Sequence, residues 1–321
     1  MKTSISQLKR AAFSGTVLLD SKARLKNGTK DLVMKLFRIV LIVGVAYVIL
    51  SPVIGIVTSS FFSDSDRYNP IVFTVPMHPT LERYATALKY LDYWQTMGYT
   101  VVYTLLMTVI QVLVCSAVGY GFARFDFPGK KLLFACVVIM IVLPAHTIML
   151  PLYVTFRNFG FGDNTVNLMG TWWPSTIMTL LGTGLSSGLY IYIFNQFFRG
   201  LPKEIEEAAL VDGAGVGYTF FRIMLVNAMP AVITVLVFSL VWQYNDTFYA
   251  NLFNVPTSQM LSKRISTLAD TISNVEKIYD PNLLTLYMNA GIVLISLPLI
   301  IMYVLLQKQF IEGVERSGIV G

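Results

Sequence analysis

The sequence predicts an all-α membrane protein of six transmembrane helices with both termini on the cytoplasmic side, and three observations carry that prediction. Of 321 residues, 55% are hydrophobic and 13% charged, with a mean hydropathy of +0.63; a soluble domain carries about a quarter charged residues. Six apolar runs, at about 35–59, 98–122, 132–154, 171–198, 223–245 and 285–307, each reach the roughly 20 residues that a helix needs to cross the hydrocarbon core. They are continuous, unlike the alternating stretches of about ten residues in a membrane barrel. With the N-terminus inside, 17 of the 24 Lys and Arg residues fall in inside segments and 7 in outside segments, the bias that sets orientation.

The first 34 residues form a basic tail that mixes Lys, Ser, Gly and Asp without a long apolar period, with a short amphipathic turn at Ser14–Leu19. The run that follows is longer than the 7–15-residue core of a signal peptide and is expected to stay as an anchor. This helix and an outside loop make up 35–95. In the loop, "YNPIVFTVPMHPTLERYATALKY" places Pro70, Pro76 and Pro79 before a short helix, Thr80 to Tyr90. Thr80 is its expected N-cap and Glu82 lies in its first turn. Such ordered material suits either a docking surface or a compact connection.

Residues 96–308 hold the remaining five helices, and 309–321 a cytoplasmic tail. The second span ends in "GYGFARFDFPGKK", where Arg124, Lys130 and Lys131 mark the inner edge and Pro128-Gly129 makes the turn. The third contains Pro144, His146 and Pro151. Prolines at that depth kink a helix and free carbonyls, so a bent, cavity-lining helix is expected, with neutral His146 satisfying the freed groups. The fourth carries Gly182, Gly184, Ser186, Ser187 and Gly188, which favour close helix packing. Cys115 and Cys136 fall inside spans with no ligand-spaced Cys or His beside them, and read as buried packing residues.

Several chemistries are missing. No G-x-x-x-x-G-K-[ST] loop occurs, so this chain is not expected to hydrolyse ATP, and no G-x-S-x-G or H-E-x-x-H spacing supplies an enzyme with a nucleophile or a metal. No Asp or Glu stands mid-span, where proton- or sodium-driven carriers place such groups. The net charge of +6 follows from topology and anionic lipid, and gives little reason to expect nucleic acid.

One segment interrupts the apolar sequence: Leu201 to Ala214, "LPKEIEEAALVDGA", between the fourth and fifth spans on the inside. Pro202 suits a first helical position. Glu204, Glu206 and Glu207 place acidic charge at a helix N-terminus, and Ala208 and Ala209 keep the helix slim. Gly213 and Gly215 permit a sharp turn before a second helix, Tyr218 to Leu225, that runs into the fifth span. The result is a rigid helix-turn-helix on the inner surface, able to pass force to the spans.

This segment resembles the EAA loop of the membrane subunits of ATP-binding-cassette importers, whose pattern is E-A-A, three residues, G, nine residues, then I-x-L-P. Glu207, Ala208, Ala209, Gly213, Ile223 and Leu225 match in register; Val226 replaces the closing proline, and Pro230 follows four residues later. Together with "GYGFARFDFPGKK", Tyr244-Asn245-Asp246 and the tail "FIEGVERSGIVG", the resemblance covers about 95–321 and points to the carbohydrate-uptake branch.

The resemblance implies a type I importer fold with a core of five helices and one extra N-terminal span, in the cytoplasmic membrane. It makes Glu204 to Leu210 a coupling helix seated in an ATPase cleft, with Glu207 facing a basic residue there and Asp212 in the same loop, about 200–222. The implied partners are a second permease, two ATPase subunits that hold ATP and Mg, and an extracytoplasmic solute-binding protein. No cofactor is expected on this chain. Sugar sites combine aromatic faces with hydrogen-bonding groups, and Tyr190, Tyr192, Asn195, Gln196, Trp242, Gln243 and Asn245 are candidates for the pathway. The loop alone leaves peptide or polyamine cargo open, and an ATP-independent carrier is the reading from another class.

Overall fold

A computed structural model describes residues 34–162 and 164–318, the last ten by backbone alone. The tail 1–34, with its Ser14–Leu19 turn, lies outside these residues save for Met34. The chain divides into two units, Met1–Thr58 and Ser59–Gly321. In the first, α1 begins a continuous apolar helix, Met34–Ser59.

The second unit opens with α2 (Asp64–Tyr68) and α3 (Glu82–Tyr90). Thr80 accepts from the Glu82 N–H at 3.2 Å, but Leu81 is the residue that caps α3. The cap therefore lies one residue later than expected, at Leu81 in place of Thr80. This segment is fastened to the far end of the chain. Buried Arg83 pairs with Asp64 and lies 4.7 Å over the Tyr287 ring, Arg67 donates to Asn282, and Tyr68 and Tyr90 donate to Asp280 and Glu276. Buried Asp66 accepts from the His78 backbone N–H at 2.8 Å and faces His78 Nδ1 at 3.1 Å.

The axis of this unit is α4, Tyr93–Arg124, 32 residues long. Its buried positions, including Thr96, Thr100, Tyr103, Met107, Gln111, Cys115 and Gly119, recur at helical spacing and are mostly small or polar, while Val102, Leu105, Leu106 and Val109 face outward. That inversion suits a helix in lipid, where apolar residues gain nothing by packing inward and small residues allow close contact. After a turn at Gly129 come α5 (Lys130–Val142), α6 (Met149–Arg157), and the hairpin β1 (Phe159–Phe161) and β2 (Asn164–Val166), paired antiparallel with Phe159 opposite Val166. Next are α7 (Trp173–Leu180), α8 (Ser187–Gly200) and α9 (Glu204–Val211). A helical segment, α10 (Val216–Asn227), leads into α11 (Met229–Tyr244), α12 (Phe248–Leu252), α13 (Leu261–Ser266), α14 (Leu268–Glu276) and α15 (Pro281–Gly318). Helices α7, α8 and α11 pack on α4, α5 packs on α8, and α15 packs on α11.

Three helices, Met34–Ser59, Tyr93–Arg124 and Pro281–Lys308, are long and apolar enough to cross a membrane; two bent pairs bring the number to five if each is one span. The third run is one such pair. It breaks by 108° at Pro144, as its prolines suggest. The freed Pro144 carbonyl is taken by Thr147, through both N–H (3.0 Å) and Oγ1 (2.7 Å), and not by His146. His146 instead sets its ring 4.6 Å from Phe248.

The fourth run, 171–198, is not one helix. It splits into α7 and α8 across Gly182 (φ 70°) and Ser186 (φ 58°), both left-handed. Thr183 rejoins the break by donating to the Met178 carbonyl from its N–H and its hydroxyl. Gly182, Gly184 and Ser186 serve the turn, whereas two of the small residues pack as expected: a Cβ on Gly188 would meet the Val137 carbonyl of α5 at 2.9 Å, and buried Ser187 lies against α4, within 3.0 Å of Gln111 Nε2. The fifth run bends by 80° between α10 and α11, at Ala228. Cys115 is buried as expected, but Cys136 is exposed on α5.

Two predictions follow from the packing. A Cβ on Gly119 would stand 2.6 Å from Phe194 Cβ and 3.0 Å from the Asn195 nitrogen. Gly119→Val should therefore cost about 1–3 kcal/mol by overpacking, read as a lower unfolding temperature in detergent; an unchanged temperature would place the α4–α8 contact elsewhere. For Asp66, burial raises the carboxyl pKa, but His78 and Ser63 donors hold it below the ordinary 3.8. A depressed carboxylate stabilises the fold above its unfolded pKa and loses that effect as pH falls through the folded value. Amide exchange over residues 60–79, corrected for intrinsic rates, should stay flat from pH 7 to 5 and rise below 3.8. In Asp66→Asn it should already be fast at pH 7.

Candidate coupling and pathway sites

At the end of α4 that carries Arg124, α9 begins after Lys203, whose carbonyl accepts the N–H groups of Glu206 and Glu207 at 3.0 Å each. Pro202 therefore precedes the helix and does not start it. The three glutamates of the first turn part company. Glu204 and Glu207 are exposed, whereas Glu206 turns inward, accepting from Tyr120 and pairing with Arg124 Nε at 3.2 Å. Arg124 also donates to the Leu201 carbonyl at 2.9 Å. The Tyr120 ring sits among Phe125, Phe198 and Phe220 at 5.5, 5.4 and 5.1 Å.

The helix ends as its glycine requires. Gly213 is left-handed (φ 83°), its N–H bonds the Leu210 carbonyl, and Ala214 N–H reaches back to Ala209, the two bonds of a Schellman motif. Gly215 is extended, with no need of glycine's positive φ. Ala208, Leu210, Val211 and Asp212 are exposed and Ala209 is buried, so the outer face of α9 is acidic at its start and apolar at its end, where Val211 is 87% exposed. Ile223 and Leu225 are half-buried in α10. That helix begins at Val216, earlier than Tyr218, and runs as a π-helix from Thr219 to Met224.

The expected pathway residues do not share one surface. Tyr190 and Asn195 are buried in the α4–α8 contact, with Asn195 donating to the Gly119 carbonyl at 3.4 Å. Tyr192 and Gln196 are exposed on α8, Tyr192 stacking on Phe134 of α5. Trp242 and Asn245 meet at a concave surface, an open cavity of about 380 Å³ completed by Leu185, Val241, Asp246, Thr247 and Phe248.

Gln243 lies behind that wall. It lines a small cavity of about 10 Å³ with Tyr103, Ser175 and Asp246, at the lower limit of the room one water needs. It also donates to Gln111 Oε1 at 3.1 Å, which accepts from Ser239 at 2.7 Å. Gln111 Nε2 donates to Ser187 Oγ at 3.0 Å and to the Leu185 carbonyl. One amide thus ties Leu185 and Gln243, on two elements that border the open cavity, to the middle of α4. Gln111 is absent from the amides that the sequence offers for the pathway, although a lone amide within the long apolar run 98–122 was the signal. Asp246, named in the sequence only as part of Tyr244-Asn245-Asp246, is a buried carboxylate that accepts from the Tyr249 N–H at 3.1 Å, one residue ahead of the α12 N-cap Thr247.

The family described as "Binding-protein-dependent transport system inner membrane component" matches residues 115–316, more than half of the chain. The chain belongs to this family. The matched region of this inner membrane component holds Tyr120, Arg124, α9 and the Trp242–Asn245 wall, and leaves out α1, the 60–92 segment and Gln111. A probable ABC transporter permease of Pyrococcus horikoshii is 29% identical over 84% of this chain and 92% of its own length. The diacetylchitobiose uptake system permease NgcG of Streptomyces coelicolor is 25% identical over 84% of each. A bacterial ABC transporter involved in the import of the acidic polysaccharide alginate shares the fold at a TM-score of 0.70, with 20% identity over 88% of this chain and 98% of that one.

Gln111→Met keeps the volume and leaves the Leu185 carbonyl and the Gln243 amide short of a partner. It should lower stability by about 1–3 kcal/mol, measured by thermal unfolding in detergent, and Ser187→Ala should add little on top of it. Full additivity of the two would dissolve the network.

Proposed function

We propose that this chain is the permease subunit of an ATP-driven, binding-protein-dependent importer of sugars or oligosaccharides. It spans the cytoplasmic membrane six times with both termini inside, as a type I permease with an extra N-terminal span. In this reading α7 and α8 together make the fourth crossing. The observation that carries the proposal is α9. A short helix held to its own chain by Glu206 offers Glu204, Glu207, Ala208, Leu210 and Val211 outward, as a helix that docks in another protein's groove must.

That groove belongs to one of two ATPase subunits, which carry ATP and Mg and do the hydrolysis; this chain does none. A second permease completes the pathway, and a solute-binding protein delivers the cargo from outside. Closure of the ATPases moves the permease pair between inward- and outward-facing states. The carbohydrate assignment is supported by relatives that carry diacetylchitobiose uptake and alginate import in their names. It is also supported by the open cavity, where the Trp242 ring and the Asn245 amide offer the aromatic face and hydrogen-bonding group that a sugar ring needs.

Glu207→Lys reverses charge at the outer face without touching a partner in its own chain among the described residues. Retention of the ATPase on the tagged chain should fall about tenfold, or ~1.4 kcal/mol, while the amount of chain in the membrane stays the same. Wild-type retention and uptake would remove Glu207 from the interface.

A further inference from the structure

The sequence treats the three glutamates of α9 as equivalent helix-starting charges; the structure gives one of them a different partner. Glu206 is 15% exposed at its side chain and Arg124 5%. Taking two charges out of water is costly, and packed apolar residues could hold a helix as well. The pair is also asymmetric in what it joins. Arg124 is the last residue of α4, and its guanidinium holds both Glu206 on α9 and the Leu201 carbonyl just after α8. Tyr120, one turn back on α4, closes the ring by donating to the same carboxylate.

The covalent route from α9 to the cavity wall is poorly suited to carry a push. It passes through the Gly213 turn, the π-helical stretch of α10 and the 80° break before α11. The route through α4 has no such interruption. It is a single helix of 32 residues, about 48 Å of rigid rod. At its middle Gln111 grips the Leu185 carbonyl and, through Gln243, the segment that bears Trp242 and Asn245.

We propose that Glu206, Arg124 and Tyr120 form a pin that transmits the displacement of α9 into α4, and through Gln111 to both sides of the cavity. Glu206 and Arg124 are positioning residues for transport, not contacts of the ATPase. The proposal rests on the importer reading and names the link inside this chain that makes α9 a coupling element.

The test uses the importer as isolated with its own partners, reconstituted in lipid discs, and needs no knowledge of the cargo. In a Cys136→Ser background, Thr247→Cys on the cavity wall reports access through its rate of labelling by a polar maleimide, without nucleotide and with ATP plus vanadate. Two variants are compared: Glu206→Gln, and Arg124→Gln with Glu206→Gln, which leaves no unpaired buried charge.

With the pin intact the labelling rate should change at least fivefold on nucleotide trapping. Both variants should retain the ATPase and its hydrolysis, while the change shrinks to less than twofold. A full nucleotide-dependent change in the double variant would overturn the pin. Loss of the ATPase from both variants would overturn it differently, by making Glu206 a docking contact. If the protein with its pin intact shows no change while ATP is hydrolysed, the importer reading fails, and the pin with it.

Discussion

The fold of residues 59–318 hangs on the buried side of α4. In water a helix buries its apolar stripe, but in lipid that stripe is already at home, and what draws helices together is close approach and hydrogen bonding. α4 meets this with Gly119 against the α8 backbone, a row of threonines, and Gln111 at its centre. Tyr93 at one end donates to the Leu294 carbonyl of α15, and Tyr120 and Arg124 at the other hold Glu206. Every element assigned a role in transport touches α4 or is one contact removed from it.

A second constraint shapes the places where helices break. Within hydrocarbon a freed backbone group must find a partner in the protein, and the breaks in the third and fourth runs supply theirs from nearby threonines. Thr147 serves the Pro144 carbonyl, and Thr183 serves Met178. In α15, Pro298 cannot donate to Leu294, and the Tyr93 hydroxyl does so instead. These bonds let the third and fourth runs turn sharply beside the cavity, which brings Leu185 and the His146–Phe248 ring pair to its edge.

Much of this was legible in the sequence, because apolar length and glycine chemistry are local properties. The α4 and α15 helices, the bend at Pro144, the α9 helix and the left-handed Gly213 all come from short-range rules. The break of the fourth run was not legible. Residues 171–198 are apolar throughout, and Gly182 with Ser186 reads equally as a packing surface or a turn; the choice was made by tertiary contacts with α4 and α5. Nor could capping rules separate Glu206 from Glu207. One residue is about 100° around a helix, and which of the two faces Arg124 depends on how α9 lies on α4. For the same reason the sequence does not show that Tyr190 and Asn195, polar and expected in the pathway, are buried between α4 and α8, nor that Gln111 is the centre of a network.

If α9 seats in the groove of a separate ATPase subunit, as proposed, that subunit travels with the chain out of the membrane. The most direct measurement is to tag the chain, extract it from its native membrane in mild detergent, and identify by mass spectrometry what co-purifies. Recovery of an ATP-binding-cassette ATPase and a second permease in fixed stoichiometry is the predicted result. Recovery of this chain alone, under conditions that keep other membrane complexes intact, would leave α9 as a surface helix of an independent carrier.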